Sequence, residues 1–232
     1  MTQSSAERRS ESILGDDDKP SPWPDWSGDT VVCVATGPSL TAEDVQRVHG
    51  RRMLDRCKVI AINEAGLTQY KPLAAPWADI LYAADQKWWR HYVPEFYGLR
   101  VSGEPVPRAE QNGQVFPAIH TVPLKMLERG ELMPREPGSV VSGGHSGFQA
   151  LGLALTLGAA RILLLGYDCG GPQRNCHADR PAHFQNDANM NRWIQCYNRV
   201  PHEWPMVTVI NCSMISRIAA FNKLPLEDAI CA

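Results

Sequence analysis

The sequence predicts a single α/β domain built on a doubly wound, mostly parallel sheet, with an insertion after a central strand. Three observations predict it. Strand-like and helix-like segments alternate from about residue 29 to the C-terminus. The most apolar segment, "ARILLLGYD" at 160–168, shows almost no alternation, which is the pattern of a central parallel strand covered on both faces. Polar residues recur just past each apolar run, at the strand ends where such sheets bind ligands.

The elements follow in order. Residues 1 to about 28 are rich in Ser, Pro and charge and read as a mobile arm. Its "PWPDW" pins onto the domain, by packing of the tryptophans or by stacking on a ligand. "TVVCVAT" is a buried strand, and "TAEDVQRVHG" a helix with Thr41 as N-cap and acids in its first turn. "CKVIAIN" and "ADILYAAD" are the next strands, and "QKWWRHYVPEF" is a helix. Residues 98–138 read as an irregular excursion, with a short strand in "VFPAIHTV" and a short helix in "PLKMLERG". "SGGHSGFQALGLALTLGA" is a helix apolar on nearly all sides, hence buried. After "ARILLLGYD" come the helix "ANMNRWIQCYNRV", the last strand "MVTVINCS" and the terminal helix "PLEDAI".

Composition narrows the function. The apolar share of 44% over 232 residues supports a real core. A net charge of −2 argues against a protein whose main task is gripping DNA electrostatically. The seven cysteines are scattered and no Cys-x-x-Cys occurs, so they read as reduced thiols of a cytoplasmic protein. No apolar run reaches membrane-span length, and the N-terminus lacks the apolar core of a signal peptide.

Four constellations carry the chemistry. In "ATGPSL", Gly37 lets the backbone approach a ligand, Pro38 fixes the turn and Ser39 adds a hydroxyl. The backbone N–H groups of the turn and helix start form an anion cradle, or the segment is an ordinary strand-to-helix turn. Asn63, just past a strand, either donates and accepts toward a nucleoside or caps its loop. Ser142, Gly143, Gly144 and Ser146 open the buried helix, with His145 among them. They leave room for a ligand near its N–H groups, or the glycines serve close helix–sheet packing. The long polar loop after Asp168 carries His177 and His183, candidate general acid or base groups, and Arg174 and Arg180, which suit a phosphate leaving group. Cys169, Cys176, His177 and His183 match no standard zinc spacing.

Taken together, "VVCVATGPSL", "VIAIN" and "SGGHSGFQALGLALTLGAARILLLGYD" resemble a loose superfamily. It includes lipooligosaccharide-type bacterial sialyltransferases, motility-accessory glycosyltransferases that modify flagellin, 6-hydroxymethylpterin diphosphokinases and phage proteins. The tail "VTVINCSMISRIAAFNKLPLEDAI" is most similar to the phage and motility-accessory branch. The resemblance covers about residues 30–230. It implies a Rossmann-like fold that lays a nucleotide-activated sugar across the strand ends. It implies that Gly37, Pro38, Ser39 and Asn63 contact the nucleotide, and that the segment at about 169–190 folds over as a lid with a catalytic histidine, His177 or His183. The sialyltransferases have Asn-Gly-Pro-Ser where this chain has Thr36-Gly37-Pro38-Ser39. Their lid supplies two tyrosines, and this chain has none between Cys169 and Cys196; Arg174 and Arg180 are the substitutes it offers.

The leading expectation is therefore a transferase with a nucleotide-sugar donor and no required metal. Backbone N–H groups near Gly37 and at Ser142–Ser146 hold its phosphates, with Asp168 at the same strand ends. The acceptor is a modified DNA base or a glycan, in host cytoplasm if the protein is phage-encoded. The diphosphokinase branch instead implies ATP and Mg, with Asp85 or Asp168 as metal ligand. A non-catalytic virion or binding protein that keeps the fold is the third reading.

Overall fold

A computed structural model describes residues 23–92, 94–106, 110–111, 114–115, 119–128, 131–170, 176 and 190–231. In chain order the strands are β1 (Thr30–Val34), β2 (Lys58–Ile62), β3 (Ile80–Ala83), β4 (Leu99–Ser102), β5 (Glu110–Gln111), β6 (Gln114–Val115), β7 (His120–Thr121), β8 (Leu124–Lys125), β9 (Val140–Val141), β10 (Arg161–Leu165), β11 (Thr208–Asn211) and β12 (Asn222–Lys223). The helices are α1 (Ala42–Met53), α2 (Gln86–Tyr92), α3 (Ser146–Thr156), α4 (Met190–Tyr197), α5 (Val200–Glu203) and α6 (Leu226–Cys231).

Eight strands form one sheet in the order β12-β11-β10-β1-β2-β3-β4-β7, and every neighbouring pair is parallel. The chain winds outward from β1 through β2, β3 and β4 to β7. It then crosses back to β10 on the other side of β1 and continues to β11 and β12. Connections leave β1 and β10 in opposite directions, so a crevice opens between their carboxyl ends. Side chains of the two central strands alternate between the faces. Val31, Cys33, Ile162 and Leu164 pack with α3, while Val32, Val34, Leu163 and Leu165 pack with α1 and α6. That two-sided burial is why "ILLL" at 162–165 reads as an unbroken apolar run.

Local chemistry starts and stops the elements. Thr41 caps α1 in a reciprocal capping box with Asp44, and Glu43 and Asp44 sit at the positive end of the helix dipole. Every residue of α3 except Gly147 is buried. Trp26 docks on its far end: the Trp26 N–H donates to Leu157 O at 2.8 Å and the ring joins the core. Trp23 lies against Gly138, where any side chain would overlap the indole.

Three expectations change. "PLKMLERG" is not a helix over its described part, because Leu124–Lys125 pairs in parallel with Val140–Val141 as β8 with β9. "LRVS" at 99–102 is a strand of the main sheet, held there by its ladder with β3. "MVTVINCS" is not the last strand, since β12 pairs beyond it at Ile210 and Asn211. None of the seven cysteines forms a disulfide, and burial pushes the thiol pKa of Cys33, Cys169 and Cys212 up to about 12. Among the described residues no helix is long and apolar enough to cross a membrane.

Candidate functional site

The segments leaving β1 and β10 cross at the switch point. Gly37 N–H donates to Gly166 O at 2.9 Å, and Ser39 N–H donates to Asp168 Oδ2 at 2.8 Å. A Cβ on Gly37 would overlap both Gly166 O and Asp168 Oδ2. Gly166, at φ +67, is pressed just as closely against Ala35 O. Glycine at 37 therefore answers to a neighbour 129 positions away, not only to a ligand. Leu40 N–H is also engaged, by Gly37 O, and Pro38 has no N–H. The N–H groups expected to cradle a phosphate are thus held by the protein itself. Cys176 N–H donates to Thr36 O at 2.8 Å, which brings the post-β10 segment back onto the β1 exit.

Asp168 is 1% exposed. Its Oδ2 braces the turn; its Oδ1 is buried with no partner among the described residues, and so is Ser39 Oγ. The backbone around Asp168 is clamped by the turn after β11. Ser213 Oγ accepts from Tyr167 N–H at 2.8 Å, and Ser216 Oγ donates to Tyr167 O at 2.6 Å. Arg217 N–H donates to Asp168 O at 2.8 Å. No local pattern marked these serines, because their partners are more than forty positions away, at separations of 46 and 49.

The start of α3 is built by packing. Gly143 (φ +50) and Gly144 (φ +81) take left-handed backbone, which favours glycine. A Cβ on Gly143 would overlap Phe148, and one on Gly144 would lie 3.0 Å from Trp193 Nε1. Ser146 Oγ accepts from Ala84 N–H at 3.1 Å, which ties the helix to the exit of β3. Ser142 O accepts from Gln149 Nε2 at 2.6 Å, and Gln149 Oε1 accepts from Tyr82 OH at 2.7 Å. The leading N–H groups of α3 face the strand ends with no intrahelical partner, as in any helix. His145 precedes them, its ring between Trp193 (5.1 Å), Tyr197 (5.5 Å) and Phe148 (6.3 Å). The residue as a whole is half-buried, yet Nε2 is sealed without a partner among the described residues, and burial pushes its pKa down to about 3. The imidazole is therefore neutral at physiological pH.

Asn63 ends β2 in left-handed backbone (φ 54), which Asn tolerates well. Glu64 beside it turns inward, fully buried, and accepts from Trp88 Nε1–H at 3.2 Å. Asp85 lies exposed past β3. It is separated from Asp168 by three strand spacings, about 14 Å, so one ion would take one of them and not both. Among the described residues no cluster of three or more His, Cys, Asp or Glu is placed to hold a metal. His177, His183, Arg174 and Arg180 lie outside the described residues. The hollow lined by Trp23, Trp26, Lys58, Asp79 and Leu99 sits at the opposite, amino ends of the strands.

The parallel sheet with helices on both faces is a Rossmann-like α/β fold, and polar groups converge at its switch point. No protein-family model matches the chain, and no curated protein matches it either. Among solved structures it is similar to the MAf glycosyltransferase from Magnetospirillum magneticum AMB-1, with a TM-score of 0.59 at 17% identity. The match covers 89% of this chain and 35% of that one, so the chain spans about a third of that protein. At this identity the likeness shows the fold.

Proposed function

We propose that the chain is a glycosyltransferase-like transferase that takes a nucleotide-activated sugar as donor. The observation that carries the reading is the convergence at the switch point, where the Gly37–Ser39 turn meets Gly166–Asp168 and Asp168 keeps a buried, unpartnered oxygen. The fold likeness to a glycosyltransferase supports it. In this reading Asn63, whose side chain has no partner among the described residues, orients the nucleoside. The donor phosphates lie at the α3 start, from Ser142 through Gly143 and Gly144 to Ser146. Ser142 N–H and Gly144 N–H are held by Lys125 O and Ser142 O, so the donors are the first N–H groups of the helix itself, from Ser146, which have no intrahelical partner. Arg174 and Arg180 neutralise the leaving phosphate. His177 or His183 takes the acceptor proton as the bond from sugar to phosphate breaks. A glycan acceptor fits the net charge of −2 better than duplex DNA does.

A thermal-shift panel of CMP, UDP, GDP and ADP sugars tests this. A ligand at a hundred times its Kd adds about 2.7 kcal/mol, which raises Tm by about 5–10 °C in a domain of this size. Failure of all four classes to shift Tm sinks the proposal. Repeating the panel in chelator separates it from the phosphotransferase reading, which needs Mg.

A further inference from the structure

We infer that Asp168 and Ser39 form a hydroxyl-recognising subsite for the ribose ring of the donor, and that the Gly37–Ser39 turn does not take its phosphate. The inference rests on the nucleotide-donor reading and specifies which part of the ligand goes where.

The turn has the shape of an anion cradle, but the anion in it is the protein's own. Ser39 N–H, the group that would point at a phosphate, donates to Asp168 Oδ2 at 2.8 Å, and Gly37 N–H donates to Gly166 O. A phosphate here would have to displace a carboxylate whose backbone is clamped at Tyr167 N, Tyr167 O and Asp168 O by Ser213, Ser216 and Arg217. It would also meet Oδ1, an acceptor-only atom, with another acceptor. Like charges at contact distance and two acceptors facing each other both disfavour that arrangement.

The unused atoms match the opposite chemistry. Bracing the turn needs only Oδ2. Among the described residues Oδ1 stays without a partner on a residue that is 1% exposed, and Ser39 Oγ is likewise unpartnered. A buried carboxylate oxygen left unpaired is costly unless a hydrogen-bond donor reaches it. A hydroxyl supplies that donor, and the two vicinal hydroxyls of a ribose offer one to Asp168 and one to Ser39, residues already joined by the bond from Ser39 N–H to Oδ2. The phosphates are left to the first turn of α3, from Ser146, where the leading N–H groups have no intrahelical partner.

The test uses isothermal titration of the full chain with the nucleotide class found by thermal shift, its 2′- and 3′-deoxy forms, and inorganic pyrophosphate as phosphate probe. The wild type should prefer a ribonucleotide over one of the deoxy forms by about tenfold or more. Asp168→Asn keeps an oxygen for Ser39 N–H but replaces the unused acceptor with a donor. It should melt like the wild type, lose the hydroxyl preference and bind pyrophosphate unchanged. A second measurement needs no variant: pyrophosphate and the free nucleoside should bind the wild type together, not in competition.

Retained hydroxyl preference in Asp168→Asn overturns the inference, as does a tenfold gain in its pyrophosphate affinity. Competition between pyrophosphate and nucleoside overturns it too. Nucleoside binding that requires Mg would put a cation on Oδ1 and overturn it as well. If no nucleotide binds the wild type at all, the donor reading falls first and the inference falls with it. Binding with an unchanged preference sinks the inference alone.

Discussion

His145 gives a stability prediction whose size follows from its surroundings. Burial between Trp193, Tyr197 and Phe148 lowers its pKa from 6.5 to about 3, so the folded protein resists protonating it and the unfolded chain does not. Between those two values the unfolded state binds more protons, so stability falls as pH drops. Linkage with these values makes the contribution near zero at pH 7 and about 2 kcal/mol unfavourable at pH 5. That is an upper bound, since the residue as a whole is only half-buried. His145→Asn removes the titration and leaves a good N-cap for α3. Its lost ring packing is the same at both pH values, so the pH slope isolates the protonation. In paired thermal melts the wild type should lose up to about 2 kcal/mol more than the variant between pH 7 and pH 5, or about 4–8 °C of Tm. Parallel pH slopes for the two proteins would refute the reasoning, because the other histidines titrate equally in both.

Gly37→Ala forces a methyl into Asp168 Oδ2 and Gly166 O; it should cost about 1–3 kcal/mol in denaturant melts and remove any nucleotide-induced shift in Tm. Ser216→Ala leaves Tyr167 O and Ile218 N–H without their hydroxyl partner; it should cost about 1–3 kcal/mol, and Ser216→Thr should recover most of that. Trp26→Ala should cost about 3–5 kcal/mol, since the ring is 4% exposed against the end of α3; a change under 1 kcal/mol would show that the segment before β1 adds nothing to stability. Cys231 is exposed, whereas burial holds Cys33, Cys169 and Cys212 at about 12; Cys231→Ser should remove one fast thiol equivalent in a titration at pH 8, and an unchanged fast phase would contradict this.

What the sequence showed of this fold, and what it hid, divides by the range of the interactions involved. β10 was legible because Ile162, Leu163, Leu164 and Leu165 are all buried, so each must be apolar whichever face it meets. α1 was legible because Thr41 and Asp44 satisfy each other three positions apart. "LRVS" and "PLKMLERG" were not, because their ladders run to β3 and to Val140–Val141, and only those partners make them strands. The candidate site divides in the same way. "ATGPS" announces a turn, and its glycine invites a ligand. What presses on that glycine is Asp168, from the far side of the sheet crossover. The tail "NCSMISR", which resembled other sequences without a reason in the residues themselves, acquires one. Its two serines and Arg217 hold the β10 exit so that Asp168 reaches the turn. The N–H groups of a motif that looked like a phosphate cradle are thereby taken up by Asp168 and Gly166, residues that no local window includes.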